Sequence, residues 1–406
     1  MQLKTKVLYL ASLVAFMRSF SQVIYVPSQI DILHDLETTT ALFGLTLSVF
    51  ALTFAVAQLL LGPVVDRYDS KRILLAGMIL FSIGSLGGIF VQSIEAFYLI
   101  RMLQALGMAA AVIVGVALIS DVIPGSERGG AMGTFEILNA AGAAVGPIIG
   151  AFIAIWIGWR VDFLLLGLLG IALALFAFWQ LPEQAVRTEK VGLREMSTIL
   201  RNPPTFGATL IGFVQFYALF TVFTLLPLML STQLGLSTGN IGLLVSLLPI
   251  GAIIGSLLGG RASDKTNIRN VLIPGSLLAA FAFSVLTLIS RTADQSTPVA
   301  FIAGVVITSG FAIGFSLPAQ LKIMVDYFPS LRGTASGLSI SFRFIGAALS
   351  PVVTGYLADT FSLTTGYGSA AMLLAAGAVI SILTITEPSP TPAEVGLDTS
   401  NPHEIN

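Results

Sequence analysis

Apolar residues run through the chain in long stretches separated by short polar ones. Twelve such stretches are read at 7–29, 41–63, 73–92, 96–120, 131–156, 161–181, 206–231, 240–260, 271–290, 299–325, 334–357 and 367–386. A helix needs roughly 17–25 apolar residues to cross the hydrocarbon of a bilayer, so each stretch is long enough to span. None shows the alternation of a lipid-embedded barrel strand, and backbone groups in lipid must be satisfied within their own segment. The pattern predicts an all-α, polytopic membrane protein of twelve transmembrane helices. The first stretch is closely followed by others and lacks a clear small-x-small cleavage site, so it reads as a span rather than a signal peptide.

Composition supports this and narrows the chemistry. The chain is 55% hydrophobic and only 10% charged, against roughly 25% charged in soluble proteins. A formal charge of −1 leaves no surplus for nucleic acid or another polyelectrolyte. There is no cysteine, and the two histidines, His34 and His403, lie outside the apolar stretches. No metal site, thiol chemistry or bound cofactor is expected. An ATP-driven pump is unsupported, because no Gly-x4-Gly-Lys-Ser/Thr loop is present. The loops also show no paired-carboxylate or His cluster of an enzyme.

Lys and Arg are unevenly placed. With the N-terminus set inside, the inner segments hold Lys4, Lys6, Arg67, Lys71, Arg72, Arg128, Arg187, Lys190, Arg194, Arg201, Arg261, Lys265, Arg269 and Arg332, while the outer loops hold Arg160 and Arg291. By the positive-inside rule both termini are expected in the cytoplasm, with a prokaryotic inner membrane as the location. The longest connection, from Pro182 to Pro204, carries four basic residues and reads as a linker. The expected organisation is a six-helix bundle over 1–181, a cytoplasmic linker over 182–205, a second bundle over 206–387 and a disordered tail over 388–406.

The two halves repeat their signals. Gly62-Pro-Val-Val-Asp66-Arg67 closes span 2 and Gly260-Arg-Ala-Ser-Asp264-Lys265 closes span 8. Asp121, Pro124, Arg128 and Gly129 lead from span 4 to span 5, as Asp326, Pro329, Arg332 and Gly333 do from span 10 to span 11. Gly142-x3-Gly146-Pro147-x2-Gly150 in span 5 returns in span 11 as Gly346-x3-Ser350-Pro351-x3-Gly355. Matched halves with a midplane site between them are an architecture of secondary transporters.

These motifs resemble those of the major facilitator superfamily, and the resemblance covers all twelve spans. The Gly62 to Arg72 stretch is similar to the family's Gly-x3-Asp-Arg-x-Gly-Arg-Arg signature, with Asp69 and Ser70 as departures. Arg101-Met-Leu-Gln104-Ala105-Leu-Gly107 resembles the signature of span 4, and the Gly142 to Gly150 run resembles that of the drug:proton antiporter branch. The resemblance implies a proton-driven, cofactor-free exporter of hydrophobic small organic molecules working by alternating access, with the proton-motive force as energy source. The alternative is a proton-coupled symporter or exchanger of an organic anion or metabolite. The bilayer, a small-molecule substrate and protons are the expected partners of a monomer, with no nucleic acid.

Ionisable residues inside spans are costly unless paired or wet and so mark functional positions. Glu136 is the leading proton carrier, with Arg18 its alternative ion-pair partner. Arg101 resembles the family's proton-assisting arginine, with Ser19, Ser21 and Gln22 as expected partners. The usual acid of related exporters is missing from span 1, where Val23 stands near its place. Arg18, Arg101 and Arg343 against Glu136 leave a positive balance that favours a neutral, zwitterionic or anionic solute. Tyr25, Gln104, Asn139, Gln215 and Gln320 are the expected polar handles for substrate, beside an aromatic stripe on span 7 that includes Phe216 and Phe220. Gating is expected from a latch of Gly62, Asp66, Arg67 and Arg72 with Asp121, a weaker copy at Asp264, and a Gly142, Gly146, Pro147, Gly150 seam against span 8. Asp31 and Asp162 are read as wet carboxylates near the outer ends.

Overall fold

The computed structural model describes residues 3–65, 68–181, 198–328 and 332–385. Twelve helices long and apolar enough to cross a membrane occur among them. We label these α1 (Leu3–Val23), α2 (Thr40–Val65), α3 (Ser70–Gly87), α4 (Ile94–Val122), α5 (Gly125–Trp156) and α6 (Arg160–Gln180) in the first half. The second half holds α7 (Pro203–Thr232), α8 (Thr238–Lys265), α9 (Arg269–Thr292), α10 (Val299–Tyr327), α11 (Arg332–Thr360) and α12 (Leu363–Thr384). Several run past their apolar cores, so that Asp264, expected just beyond a span, stands in the last turn of α8. The first span is shorter than expected as a regular helix. Pro27 cannot donate to the ladder, and α1 gives way to a 3-10 turn at Val26–Ser28 and a short helix at Gln29–Asp35.

Local chemistry sets several of the helix starts. Ser93 accepts from the Ala96 amide at α4, Asn202 caps α7 ahead of Pro203 and Pro204, and Ser362 forms a reciprocal capping box with Thr365 at α12. Asp69, where the family signature has glycine, is the N-cap of α3 and accepts from the Lys71 amide at 3.1 Å. The departure thus has a structural use.

Even numbers of crossings place both ends of each half on one face, together with Lys71, Arg72, Arg261 and Lys265; we call this the basic face. Arg160 and Arg291 lie at the opposite, far face. The chain forms two pseudo-symmetric six-helix bundles, and glycines show the symmetry directly. A Cβ on Gly142 or Gly150 would run into the α1 backbone at Phe16 or Ile24, and one on Gly346 would run into α7 at Phe213. The expected meeting of the Gly142, Gly146 and Gly150 stripe with α8 is therefore corrected: the stripe packs on α1, inside its own bundle. Gly251, Gly255 and Gly259 of α8 likewise pack on α10 at Ile307, Phe311 and Phe315. Ser350, which stands where the first repeat has Gly146, bonds Thr221 of α7 at 2.9 Å.

The halves meet at the far face through a different pair of glycines. Gly242 of α8 abuts Pro147 of α5, where a Cβ would sit 2.5 Å from the proline carbonyl oxygen. Gly44 of α2 abuts Pro351 of α11, where it would sit 2.6 Å away. Helices 5 and 8 do form a seam, then, but through Pro147 and Gly242. Beside the Gly44–Pro351 contact the Asp359 carboxylate of α11 accepts a 2.7 Å hydrogen bond from the Ala41 amide in the first turn of α2. One bundle thus caps a helix of the other. The charge and the bond together are worth about 1 kcal/mol. Asp359→Ala should accordingly open the far face several-fold more often, and Asp359→Asn only slightly. Paired spin labels at Glu95 and Ser296 would read this; unchanged distance populations for Asp359→Ala would count against the cap.

Candidate functional site

With the far face closed, a cavity of about 260 Å³ lies between the halves, walled by α1, α5, α7, α8, α10 and α11. Toward the basic face its wall residues Glu136, Ile137 and Leu257 are exposed. Three ionisable residues from three helices converge on it: Arg18, Glu136 and Arg343. Nothing local in the sequence joins these residues; pairing α1 with α5 and α7 with α11 does.

Arg18 and Glu136 do not touch. Asn139 stands between them, accepting from Arg18 Nε at 3.1 Å and Nη2 at 2.7 Å, and donating from Nδ2 to the Glu136 carboxylate at 3.3 Å. Ser19 donates to the same Asn139 oxygen. The expected ion pair is thus a relayed one. The Glu136 charge nevertheless attracts both Arg18 and Arg343. The Arg18 guanidinium lies between the rings of Phe54 and Phe344, at 5.4 and 5.2 Å, while that of Arg343 stands 5.8 Å from Phe216. Such contacts hold a cation without neutralising it. Arg343 Nη2 donates to Gln320 Oε1 at 3.1 Å. Arg18 Nη1 and Arg343 Nε have no hydrogen-bond partner within the protein.

The other expected site residues divide. Asn139, Phe216 and Phe220 line the cavity with Phe223 and Phe344. Gln215 and Gln320 lie behind the wall, fully buried, in a network where Gln320 donates to Gln215 Oε1 at 2.7 Å and Gln215 donates to Ser316 at 2.7 Å. They position Arg343 rather than meet the cavity. Tyr25, Gln104 and Arg101 are corrected more strongly, for none of them reaches the wall. Arg101 is fully buried, sandwiched by Tyr25 and Phe50 at 4.8 and 4.3 Å. It donates to the carbonyls of Ser21 and Gln22 at 2.9 and 3.4 Å and to Gln104 Oε1 at 2.7 Å. The expected partners Ser21 and Gln22 are met through their main chain, and Ser19 belongs to Arg18 instead. Tyr25 bonds Thr46 at 2.8 Å and Gln104 bonds Ser85 at 2.9 Å.

In the expected latch, Asp66 and Arg67 lie outside the described residues. Gly62 falls within α2. Arg72 lies 3.7 Å from its own-loop Asp69, Lys71 stacks on Phe178 of α6 at 5.2 Å, and Asp121 and Asp264 are exposed at the ends of α4 and α8. Asp162 overturns its reading as a wet carboxylate, since it is fully buried, whereas Asp31 is exposed as expected. Among the described residues no group of three His, Cys, Asp or Glu side chains comes together to hold a metal.

Residues 11–239 and 208–402 both match the model of the Major Facilitator Superfamily. The chain belongs to that superfamily. This superfamily member is 28% identical over 392 residues to the "Probable L-galactonate transporter" of Escherichia coli strain K12, covering 89% of this chain and 84% of that one. It is also 28% identical over 285 residues to the chloramphenicol resistance protein of Pseudomonas aeruginosa, covering 69% of this chain and 67% of that one. Its fold matches the crystal structure of a bacterial homolog of the human lysosomal transporter Spinster, in an inward-facing and unoccupied conformation. That match has a TM-score of 0.77 at 19% identity and covers 95% of this chain and 96% of the other. As a superfamily member of this architecture, the protein is a secondary active transporter of the membrane and not an enzyme.

Proposed function

We propose that the protein couples protons to the transport of a small organic anion with an apolar body. The observation that carries this reading is the pair of guanidiniums, Arg18 and Arg343, that line the cavity from α1 and α11 without touching a carboxylate among the described residues. They donate to the amides of Asn139 and Gln320 instead, and a carboxylate in the cavity would supply the acidic partner that both guanidiniums lack. Phe216, Phe220, Phe223 and Phe344 supply the apolar wall.

The charges also favour a direction of coupling. Two arginines against Glu136 leave the empty cavity net positive, and protonating Glu136 raises that charge further. Proton and anion therefore help each other bind, which favours symport; for a cationic drug they would compete, which favours antiport. The Lys and Arg distribution favours a cytoplasmic basic face; with that orientation protons and anion would enter together from the far face. The aromatic wall and the relative named for chloramphenicol resistance favour the second reading, proton-driven export of hydrophobic compounds.

Binding to the purified protein separates the two. Aliphatic and aromatic monocarboxylates should bind more tightly at low pH, and Arg343→Gln should weaken them about tenfold or more, the 1.5–3 kcal/mol of a charged hydrogen bond. Lipophilic cations that bind more tightly as pH rises, with carboxylates inert, would instead establish the export reading.

A further inference from the structure

Asp162 lies in the first turn of α6, at the far face, and takes no part in the cavity. Its side chain is fully buried, and neither carboxylate oxygen has a hydrogen-bond partner within the protein. The neighbouring residue, Phe163, belongs to a cluster of four rings drawn from three segments. It packs on Tyr25 at 5.9 Å, Phe97 at 5.3 Å and Trp159 at 6.0 Å.

The charged groups nearby are already engaged. On α6 itself, Arg160 donates to Asp35 of the short helix at 2.8 Å and to the Val91 carbonyl at 3.1 Å. On α4, Arg101 spends its N–H groups on Gln104 and on carbonyls of α1 and α2, Glu95 is exposed, and Tyr98 donates to the Leu42 carbonyl at 2.9 Å. From the turn after α1 comes Tyr25, whose hydroxyl is held by Thr46. The far ends of α3 and α5 carry no titratable residue. An ionised carboxylate in such a place would have neither partner nor water, a cost of many kcal/mol that proteins avoid by keeping the group neutral.

A second observation connects this carboxyl to the transport cycle. Ser28 and Gln29, one turn beyond Tyr25, are fully buried too, and Ser28 Oγ and both polar atoms of the Gln29 amide lack protein partners. They sit at the break in α1, the part of the first bundle that packs on α7 and α8 of the second at the far face. Opening that face would withdraw α7 and α8 from this break, whose preceding residue Tyr25 packs on Phe163, the neighbour of Asp162 in the chain.

We propose that Asp162 is a second proton-binding site, a neutral carboxyl sealed in the first bundle while the far face is closed, which exchanges its proton with the far side when that face opens. The carboxyl O–H bond breaks on opening and the proton passes to far-side water; closure requires the reverse. The site is independent of the anion reading, because it makes no contact with the substrate cavity.

Infrared difference spectra of the full chain in lipid nanodiscs test it. Wild type minus Asp162→Asn, at neutral pH with the far face closed, should show the C=O stretch of a neutral carboxylic acid. In a Gly242→Val background, with an open far face verified by spin-label distance on the same sample, that band should be replaced by carboxylate bands. Asp162→Asn, a neutral isostere, should fold; were it not to, Asp162→Glu would shift the same band and serve as the comparison. Carboxylate bands in the closed state, or a neutral band that persists on opening, would overturn the proposal. Transport of either substrate class leaves these outcomes untouched.

Discussion

Replacing Gly44 and Gly242 together by valine should hold the far face open and abolish net transport while leaving the fold intact. Each glycine lets a helix of one bundle rest on a proline carbonyl of the other, Gly44 on Pro351 and Gly242 on Pro147. The nearest atoms met are the two proline carbonyls and, at Gly242, the Cβ of Ala151, none of which can swing aside as the end of a flexible side chain would. Overpacking costs about 1–3 kcal/mol at a site, and separated sites add. The double variant should thus lose roughly 2–6 kcal/mol from the far-closed state alone, moving its equilibrium by roughly tens- to tens-of-thousands-fold. Within the far-open state these contacts are absent, so the penalty falls on one conformation. The chain has no native cysteine, which makes spin-label pairs simple to introduce: Glu95 with Ser296 across the far face, and Tyr68 with Arg261 across the basic face. The far pair should lengthen and the basic pair shorten. A double variant with wild-type distances and transport would show that the seam closes by other contacts.

The sequence made the architecture legible because a bilayer imposes it: twelve apolar stretches have few other solutions, and the repeated Gly-Pro and Asp-Arg signals mark the symmetry. Glu136, Arg18 and Arg343 were visible for a related reason, since a charge in a span needs a purpose. The neighbour of each helix was much less visible. A four-residue glycine spacing fixes which residues share a face, and Gly142, Gly146 and Gly150 do share one, but it does not say whether that face meets α1 or α8. Gly44 and Gly242 stand at the same offset, 198, as the two Gly-x3-Asp motifs, yet each is a lone glycine whose role appears only against its proline. Polar residues near helix ends were hardest. Asp162 looks solvated by position and is fully buried, next to a residue, Phe163, that packs on rings of α4 and of the turn after α1. Tyr25, Gln104 and Arg101 look like cavity groups and instead satisfy one another and the carbonyls of α1 and α2.

Glu136→Gln should uncouple transport without preventing it. Glutamine keeps the size of the side chain and can still bond Asn139, whose Nδ2 now donates to the Glu136 carboxylate at 3.3 Å. What it loses is the ability to gain and release a proton beside Arg18 and Arg343. The variant resembles the protonated state, so anion should bind at least as well as in wild type and with no further gain on acidification. Exchange of labelled for unlabelled anion across a liposome membrane should continue, because neither direction needs a net proton. Accumulation is different. One proton per anion under a one-unit pH gradient supports about tenfold accumulation, the 1.36 kcal/mol carried by each unit, and Glu136→Gln should fall to equal concentrations on both sides. The pairing of intact exchange with lost accumulation separates uncoupling from misfolding, which removes both. Full accumulation by Glu136→Gln would move the coupling proton off Glu136 and leave the carboxylate as part of the Asn139 relay that orients Arg18.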